Sequence, residues 1–306
     1  MDRDELELFT NSLRGAADRH AGAALDAAYD DLGWRDALQD DQQAIAALFA
    51  IQGGRGVASS AIDDVLLSGL GLEPVPERAV VMPPLGRHDA AYAGRTVDGF
   101  ATHRASTATE LVIVGEPIRV VPAPALDRRQ VSGIDPASGW VAVSGHLDGD
   151  ETISGVWPDA LALGHRAVAT ELAALGRTML GLARDHAADR VQFGRAIGSF
   201  QAVRHKLADA LLATEAADAA VSVGWAEPSG FTALMAKAIA GRSGRTVARH
   251  AQQVLAGMGF TAEHGFHLLM KRSMVLDQVL GSGAALSSEL AQRSITERVA
   301  PPMLAL

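Results

Sequence analysis

The sequence contains no cysteine, which excludes disulfides, thiolate-bound metal sites and a cysteine nucleophile. It has no apolar run of the roughly 18 residues that a membrane-spanning helix needs. Its first residues, Met1-Asp2-Arg3-Asp4-Glu5, are too acidic and polar for a signal peptide. We therefore expect a cytoplasmic protein with no membrane partner.

Basic clusters are also missing. The chain of 306 residues carries 36 acidic and 27 basic side chains, which gives a net charge of −9 with no basic block. This balance argues against nucleic acid as a partner. With 48% hydrophobic and 21% charged residues the chain is globular, and its length suffices for one large domain or two to three small ones.

The first 72 residues favour helices. Apolar residues at helical spacing predict an amphipathic face near the N-terminus and a buried helix at 44–50. Glycines at Gly53-Gly54 and around 69–71 are expected to interrupt the helical pattern. We assign residues 1–72 to a helical domain.

From residue 73 onwards, prolines break the helical pattern. Three short β-type runs, at 79–82, 110–114 and 140–143, lie between turn residues and predict strands. Residues 73–154 are therefore expected to form a small β domain.

The remainder, residues 155–306, is predicted to form a helical bundle. Large apolar residues recur with helical spacing in four stretches that are joined by short connections. The predicted helices span residues 158–190, 207–223, 231–255 and 266–280.

The segment 189–209, between the first two of these helices, carries the most chemistry. It combines cations, amides and aromatic rings, including Arg190, Phe193 and Gln201, at a glycine-punctuated helix junction. Backbone N–H groups are free at such a junction and can meet an anion such as phosphate. Arginine and glutamine at helix ends are also common as plain caps and solvated groups, so both interpretations stay open on chemistry alone.

The order of residues in this segment resembles the acyl-CoA dehydrogenase family, whose C-terminal domain carries the pattern R-x-x-F-G-x-x-I-x-x-F-Q. Six positions match the pattern: Arg190, Phe193, Gly194, Ile197, Phe200 and Gln201. A second family block fits at residues 253–263, and two ordered blocks are more specific than one short motif. The resemblance covers about residues 155–306. It implies an α+β fold with a shortened N-terminal helical domain, a small β domain and a C-terminal four-helix bundle.

The resemblance also implies that this chain contacts FAD. In family dimers the corresponding residues reach across the interface to the ADP half of the neighbour's FAD. The family assigns Arg190 to the pyrophosphate, Gln192 and Phe193 to its surroundings, Gln201 to the adenosine, and Gln253 with the Ala256-Gly257 backbone to the phosphates. The chemistry agrees, because arginine offers fixed donors to phosphate and small residues let a backbone approach closely. Ala256 departs from the family's usual glycine.

The family's catalytic base has no counterpart in this sequence. The glutamate of the family's Glu-Gly-Thr turn falls on Leu280, and the alternative glutamate of some members falls on Gly164 or His165. The segments that hold the flavin ring in the family, Thr-Glu-Pro and Trp-Ile-Thr, have only poor counterparts at 82–87 and 99–103.

Other residues of this chain are substitutes for the base. Asp277 and Glu171 are the main candidates, and Glu289 is a further one, although acidic residues on helix faces are usually solvated. His165 has a suitable ordinary pKa for a base. At a helix start beside an arginine it also suits a surface residue or an anion contact.

With its ADP-contact residues present and its base and flavin-ring segments missing, this chain resembles the short, non-catalytic-type subunits of heterotetrameric, steroid-catabolic acyl-CoA dehydrogenases of actinobacteria. The resemblance implies that a homologous partner subunit supplies the glutamate and the flavin-ring pocket, and that an electron-accepting flavoprotein completes the reaction. The implied substrate is an acyl-CoA, with a steroid-derived acyl group as an extension of the resemblance. No metal site is predicted. The alternatives are a self-sufficient homo-oligomeric flavoenzyme with its base at Asp277 or Glu171, and a flavin-free structural or acyl-CoA-binding protein.

Overall fold

The computed structural model describes residues 1–149 and 152–298. Its N-terminal part consists of α1 (Arg3–Ala17), α2 (Ala23–Asp31), α3 (Trp34–Asp40), α4 (Gln42–Arg55) and α5 (Ala61–Gly69). A capping box begins the first helix. The Asp2 carboxylate accepts from the Glu5 N–H, and the Glu5 carboxylate accepts from the Asp2 N–H, both at 2.8 Å.

The glycine pair Gly53-Gly54 does not interrupt α4, contrary to the prediction from the sequence. The helix continues through the pair to Arg55. A Cβ on Gly53 would come within 2.3 Å of the Glu171 carbonyl oxygen, so the close approach of another helix requires glycine here. The predicted interruption around 69–71 is present, since α5 ends at Gly69.

The β part forms two four-stranded sheets in the described residues. The first sheet contains, in this order, β1 (Arg78–Val81), β4 (Glu110–Ile113), β5 (Ile118–Pro122) and β8 (Thr152–Ile153). The second contains β2 (Tyr92–Ala93), β3 (Thr96–Ala101), β7 (Val141–His146) and β6 (Asp127–Gln130). β1 and β4 are parallel, and the other pairs are antiparallel. Backbone hydrogen bonds of 2.8 and 3.1 Å between Met82 and Phe100 join the sheets.

The C-terminal part is a helical bundle, which confirms the predicted α+β fold class. It consists of α6 (Trp157–Asp189), α7 (Gln201–Ala226), α8 (Gly230–Leu255), α9 (Phe266–Gln278) and α10 (Gly283–Glu297). The first four correspond to the predicted helices. The prediction misses α10, because only Leu286 and Leu290 give it an apolar face against α8. No helix in residues 1–149 and 152–298 is long and apolar enough to cross a membrane. The limits of the three domains stay a prediction.

Short connections make α6, α7 and α8 antiparallel neighbours, and each packs on the other two. A short hairpin, β9 (Val191–Gln192) with β10 (Arg195–Ala196), connects α6 to α7. The C-terminal ends of α6 and α8 and the first turn of α7 therefore meet at one end of the bundle. We call residues 190–201 and 253–260 the hairpin end.

Buried charges join the N-terminal helices to the β part. Arg104 donates from Nη1 and Nη2 to the two carboxylate oxygens of Asp64, at 2.6 and 3.0 Å, and Trp34 Nε1 donates to Asp64 at 3.1 Å. The neighbouring Asp63 accepts from the Val80 N–H at 2.9 Å. Burial raises the pKa of Asp63 to about 6, against the opposing effect of the Arg104 guanidinium. Arg104 is therefore the buried cation that compensates both carboxylates, and Arg35 adds one contact, to Asp64 at 3.2 Å.

We expect Arg104→Leu to lower the free energy of unfolding by about 3–5 kcal/mol, because Asp63 then stays buried without a cation and Asp64 keeps only the Nε of Arg35, at 3.2 Å. Urea unfolding followed by circular dichroism measures the loss. The control is Arg177→Leu, which removes an arginine paired with Asp218 at the surface and should cost at most about 1 kcal/mol. Equal losses in the two variants would contradict a special role for the buried network.

Candidate functional site

The residues of the family pattern lie at the hairpin end of the bundle. Arg190 follows α6, its N–H donates to the His186 carbonyl at 2.9 Å, and its side chain is exposed. Gln192 is exposed on β9, and Phe193 (φ 53°) and Gly194 (φ 78°) form the two-residue turn to β10. Two positive φ angles match a type I′ turn, which favours glycine at the second position. This turn leaves Phe193 92% exposed.

Ring contacts hold the hairpin against the start of α7. The Phe193 and Phe200 rings make an edge-to-face contact with centroids 6.1 Å apart, and the Arg195 guanidinium lies 4.2 Å from the centroid of Phe200. Each such contact contributes about 0.5–1.5 kcal/mol. Because the exposed Gln201 is the first residue of α7, the contacts bring Arg190, Phe193 and Gln201 to one surface.

The end of α8 supplies the second part of the site. Gln253 is exposed in its last turn, and Ala256 follows with φ 50° and ψ −131°. That conformation favours glycine, the residue that the family pattern has at this position. A Cβ on the exposed Gly257 would meet nothing within 4 Å. The backbone at 256–257 is therefore accessible to a ligand.

This surface suits a diphosphate joined to an aromatic group. Arg177 and Arg184 earlier on α6 pair with Asp218 and Asp185, whereas Arg190 has no carboxylate partner within residues 1–149 and 152–298. Its guanidinium can therefore pair with an anion beside the exposed Phe193 ring. All the predicted ADP contacts are exposed at this end of the bundle, and their role in binding FAD stays a prediction.

The two positions where the family keeps its base meet inside the chain. Leu280 is 0% exposed, and a Cβ on Gly164 would come within 2.7 Å of its Cδ1. His165 Nε2 donates to the Leu280 carbonyl at 2.7 Å. Burial lowers the pKa of His165 to about 3, so its ring is neutral near pH 7 and Nε2 carries the proton. Neither position offers a carboxylate.

A buried lysine fixes the turn that contains Leu280. Lys237 is 0% exposed, and its Nζ donates to the carbonyls of Asp277 and Gly281, each at 3.0 Å. Burial lowers the pKa of Lys237 to about 8. Leu280 has a positive φ of 56°, which non-glycine residues rarely adopt. The lysine and His165 thus hold a strained turn in place from inside the protein.

Two of the candidate carboxylates, Asp277 and Glu289, already have cationic partners. Asp277 is buried and pairs with Arg245. Glu289 pairs with His88 at 2.8 Å and with Arg293. Either group would have to leave these partners before it could accept a proton from a substrate.

The third candidate, Glu171, borders a cavity of about 20 Å³ that is lined by N-terminal helices, the β part and the bundle. Arg272 Nε donates to Glu171 at 2.7 Å, and Arg272 Nη1 donates to Ser138 Oγ at 3.1 Å. This ion pair occupies much of the junction. The remaining space holds about one water molecule, whereas ligand pockets measure roughly 300–1,000 Å³.

The cavity does not fit a flavin ring. Its wall includes Thr102, from the segment 99–103 that corresponds to the family's Trp-Ile-Thr segment, and the Thr102 hydroxyl donates to buried Asp63. Phe100 of the same segment packs edge-to-face on Trp140, with centroids 5.1 Å apart. The hairpin end, by contrast, is open and exposes the residues that are predicted to contact an ADP group.

Sequence reasoning missed the pairing of the buried charges. Glu171 and Lys237 each lie within an apolar stretch of a helix, and an isolated charge in such a stretch signals a buried partner. Their partners lie far away in the chain, so the spacing of residues does not reveal them. No group of three or more His, Asp or Glu side chains that could hold a metal ion occurs in residues 1–149 and 152–298.

Known proteins are similar to this chain in sequence. The profile of the acyl-CoA dehydrogenase C-terminal domain matches residues 158–295. The acyl-CoA dehydrogenase IpdE2 of Mycolicibacterium smegmatis is 39% identical over 102 residues, which are 33% of this chain and 33% of that protein. The chain thus matches about a third of the length of this relative.

Solved structures are similar in fold. The Tcur3481-Tcur3483 steroid ACAD variant has a TM-score of 0.80 at 17% identity, covering 97% of this chain and 99% of that chain. The ChsE4-ChsE5 complex from Mycobacterium tuberculosis has a TM-score of 0.73 at 16% identity, covering 98% and 99%. The shared fold therefore extends into the N-terminal and β parts that the family profile does not cover.

We expect acid to destabilise the protein partly through His165. Its folded pKa of about 3 lies below the ordinary value of 6.5, so the unfolded chain binds a proton first as the pH falls. From pH 7 to pH 5 this difference should lower the free energy of unfolding by about 2 kcal/mol. His165→Gln keeps a donor but does not titrate. The free energy of unfolding that this variant loses between pH 7 and pH 5 should therefore be smaller than the wild type's by about 2 kcal/mol, as measured by urea unfolding at the two pH values.

Comparison of the wild type with this variant isolates the histidine. Asp63, whose pKa is raised to about 6, acts in the opposite sense, because its folded form binds a proton before the unfolded one. It is present in both proteins and cancels in the difference. Parallel pH profiles for the two proteins would contradict a neutral, buried imidazole.

Proposed function

Because this chain belongs to the acyl-CoA dehydrogenase family, whose members are FAD-dependent oxidoreductases, we propose that it is the non-catalytic-type subunit of a heteromeric acyl-CoA dehydrogenase. A homologous partner supplies the glutamate base and the flavin-ring pocket. This chain supplies contacts to the ADP half of the FAD that the partner holds.

One observation carries the proposal: the chain's own inter-domain cavity is closed, whereas its hairpin end is open. The cavity has a volume of about 20 Å³, and the base position is occupied by Leu280 at 0% exposure. At the hairpin end Phe193 is 92% exposed beside Arg190, which has no carboxylate partner in the described residues. The side chains that could contact a cofactor therefore lie on the surface, where they could reach a cofactor held by another chain.

The residues of the hairpin end have distinct roles in this proposal. FAD, when bound, supplies the hydride acceptor of the family's reaction. Arg190 pairs with pyrophosphate oxygens through its fixed donors, and Phe193 lies beside them. Gln201 and Gln253 offer amide donors and acceptors, and the exposed backbone at 256–257 lets a phosphate approach closely.

The relatives support the assembly and the substrate class that we propose. The Tcur3481-Tcur3483 protein is a steroid ACAD, and the ChsE4-ChsE5 structure is a complex. We extend both properties to this chain: a heterotetramer that acts on a CoA thioester with a steroid-derived acyl group and passes electrons to a flavoprotein acceptor. The shortened helical segment 1–72 suits a bulky acyl group.

The main alternative is a self-sufficient homo-oligomeric flavoenzyme with a relocated base. Its candidate bases, Asp277 and Glu171, are each 2% exposed and ion-paired. A general base needs to reach the proton that it abstracts, so these contacts favour the two-subunit proposal. A flavin-free structural or acyl-CoA-binding protein is the third alternative.

Flavin content tests the proposal. We expect the full chain purified alone to carry little FAD and to oxidise no acyl-CoA. Co-expressed with a homologous subunit that retains the Glu-Gly-Thr turn, it should yield a yellow and active complex. Flavin absorbance per chain and acyl-CoA-dependent reduction of a dye acceptor are the measurements. A yellow, active chain without a partner would favour the self-sufficient enzyme, and a colourless complex would favour the flavin-free protein.

Within the complex, we expect Arg190→Ala to weaken FAD binding. Loss of a charged hydrogen bond to pyrophosphate costs about 1.5–3 kcal/mol, or roughly 10- to 150-fold in affinity. Titration of the apo complex with FAD measures the change. The matched control is Arg184→Ala. It removes an exposed arginine that pairs with Asp185 near the end of α6, and it should leave the affinity unchanged. Equal FAD affinity in both variants would make Arg190 an ordinary helix-end residue.

A further inference from the structure

One face of α8 is apolar and buried in the first half of the helix and basic and exposed in the second half. In the first half this face carries Leu234 and Ala238, which are buried beneath Leu286 of α10. In the second half the same face is exposed and basic, because α10 does not cover it. Its arginines, which we call the arginine stripe, are Arg242, Arg245 and Arg249.

The arginine stripe leads to the hairpin end. Its three residues and Thr246 line a surface depression of about 290 Å³. Gln253 lies on the same face one turn further on, since residues three and four apart are neighbours on a helix. At a rise of ~1.5 Å per residue, the stretch from Arg242 to Gln253 is about 16 Å long. A partner whose cofactor reaches Gln253 therefore also faces the stripe.

The chain itself compensates little of this charge. Arg242 and Arg249 have no carboxylate partner in the described parts of the chain, and Arg245 pairs with buried Asp277. The Asp277 carboxylate also accepts a hydrogen bond from the Gly283 N–H, at 3.1 Å. The stripe thus remains cationic on a protein whose net charge is −9.

We propose that the arginine stripe docks an acidic surface of the unlike subunit and thereby selects that subunit over a second copy of this chain. This inference rests on the proposed function, because it takes the chain next to Gln253 to be the partner that holds the cofactor. Carboxylates are the natural complement, since the planar guanidinium pairs with them in a bidentate geometry.

The same charges oppose pairing of the chain with itself. In a two-fold symmetric dimer one patch meets the identical patch of the second copy. If the patch includes the stripe, six guanidinium groups converge, and like charges at an interface disfavour that complex. Complementary charge on an unlike subunit removes this penalty and also speeds the encounter.

The test uses the full chain and a homologous subunit with an intact Glu-Gly-Thr turn. Arg242→Ser combined with Arg249→Ser should weaken the complex about tenfold at low salt, and the deficit should shrink in ~0.5 M NaCl because salt screens exposed charges. Arg245 is left in place because it also pairs with Asp277. Biolayer interferometry measures the affinity, and thermal unfolding checks that the variants are folded.

Two further variants separate charge from other effects. Arg242→Lys with Arg249→Lys keeps the charge but loses the bidentate geometry, so its affinity should lie between those of the serine variant and the wild type. Arg14→Ser with Arg19→Ser removes the same charge from α1 and the turn that follows it, and should leave the affinity unchanged. Equal affinities of the stripe serine variant and this control would overturn the inference, while a complex that still holds FAD would leave the proposed function standing.

The isolated chain provides a second readout. We expect it to stay monomeric by light scattering at low and high salt. A dimer that forms at low salt and dissociates at high salt would overturn the inference, because a second copy would then cover the stripe with its acidic N-terminal part. Residues 1–72 carry 13 acidic and 5 basic side chains, so this outcome has a physical basis. A folded chain that fails to bind the unlike subunit at all would refute the proposed function itself.

Discussion

The buried ion pair between Glu171 and Arg272 is the interaction on which the arrangement of the three parts depends. α6 supplies the carboxylate, α9 supplies the guanidinium, and Ser138 of the β part accepts a further hydrogen bond. Gly53 of α4 packs directly on the Glu171 backbone. Loss of either charge would leave the other buried without a partner, which is strongly destabilising. The pair therefore requires the surrounding elements to stay closed, and the closed junction leaves no room for a flavin ring.

In this closed arrangement, the charged groups that stabilise the fold lie inside the protein, and the groups proposed to bind a ligand lie on its surface. Inside, charged groups such as Lys237 and Asp64 serve to hold turns and helices together. Outside, at the hairpin end, the Arg190 side chain has no ion-pair partner among the described residues, and the backbone at 256–257 is exposed. The space between the N-terminal helices, the β part and the bundle is thus largely filled by side chains. What remains accessible is the hairpin end, the surface that we propose contacts a neighbour.

The sequence predicts the elements whose formation is decided locally. α8 and β4 follow from the spacing of their own apolar residues, and the motif at 190–201 is contiguous, so its members stay together in any tertiary arrangement. Contacts between distant segments are not readable in this way. Glycine disfavours a helix, yet Gly53 lies within one because the contact with α6 outweighs its propensity. The partner of Glu171 lies 101 residues away, and periodicity does not reveal which charge meets which.

Two aromatic rings at the hairpin end remain in water while the chain is unpaired. Phe193 at the hairpin tip is 92% exposed, and Phe260 after α8 is 76% exposed. Exposed apolar groups of this kind attract other apolar surfaces, including those of further copies. A partner that covers them withdraws the chain from such encounters by mass action. In the proposed complex, the ratio in which the two chains are synthesised therefore affects how much of this protein stays dispersed.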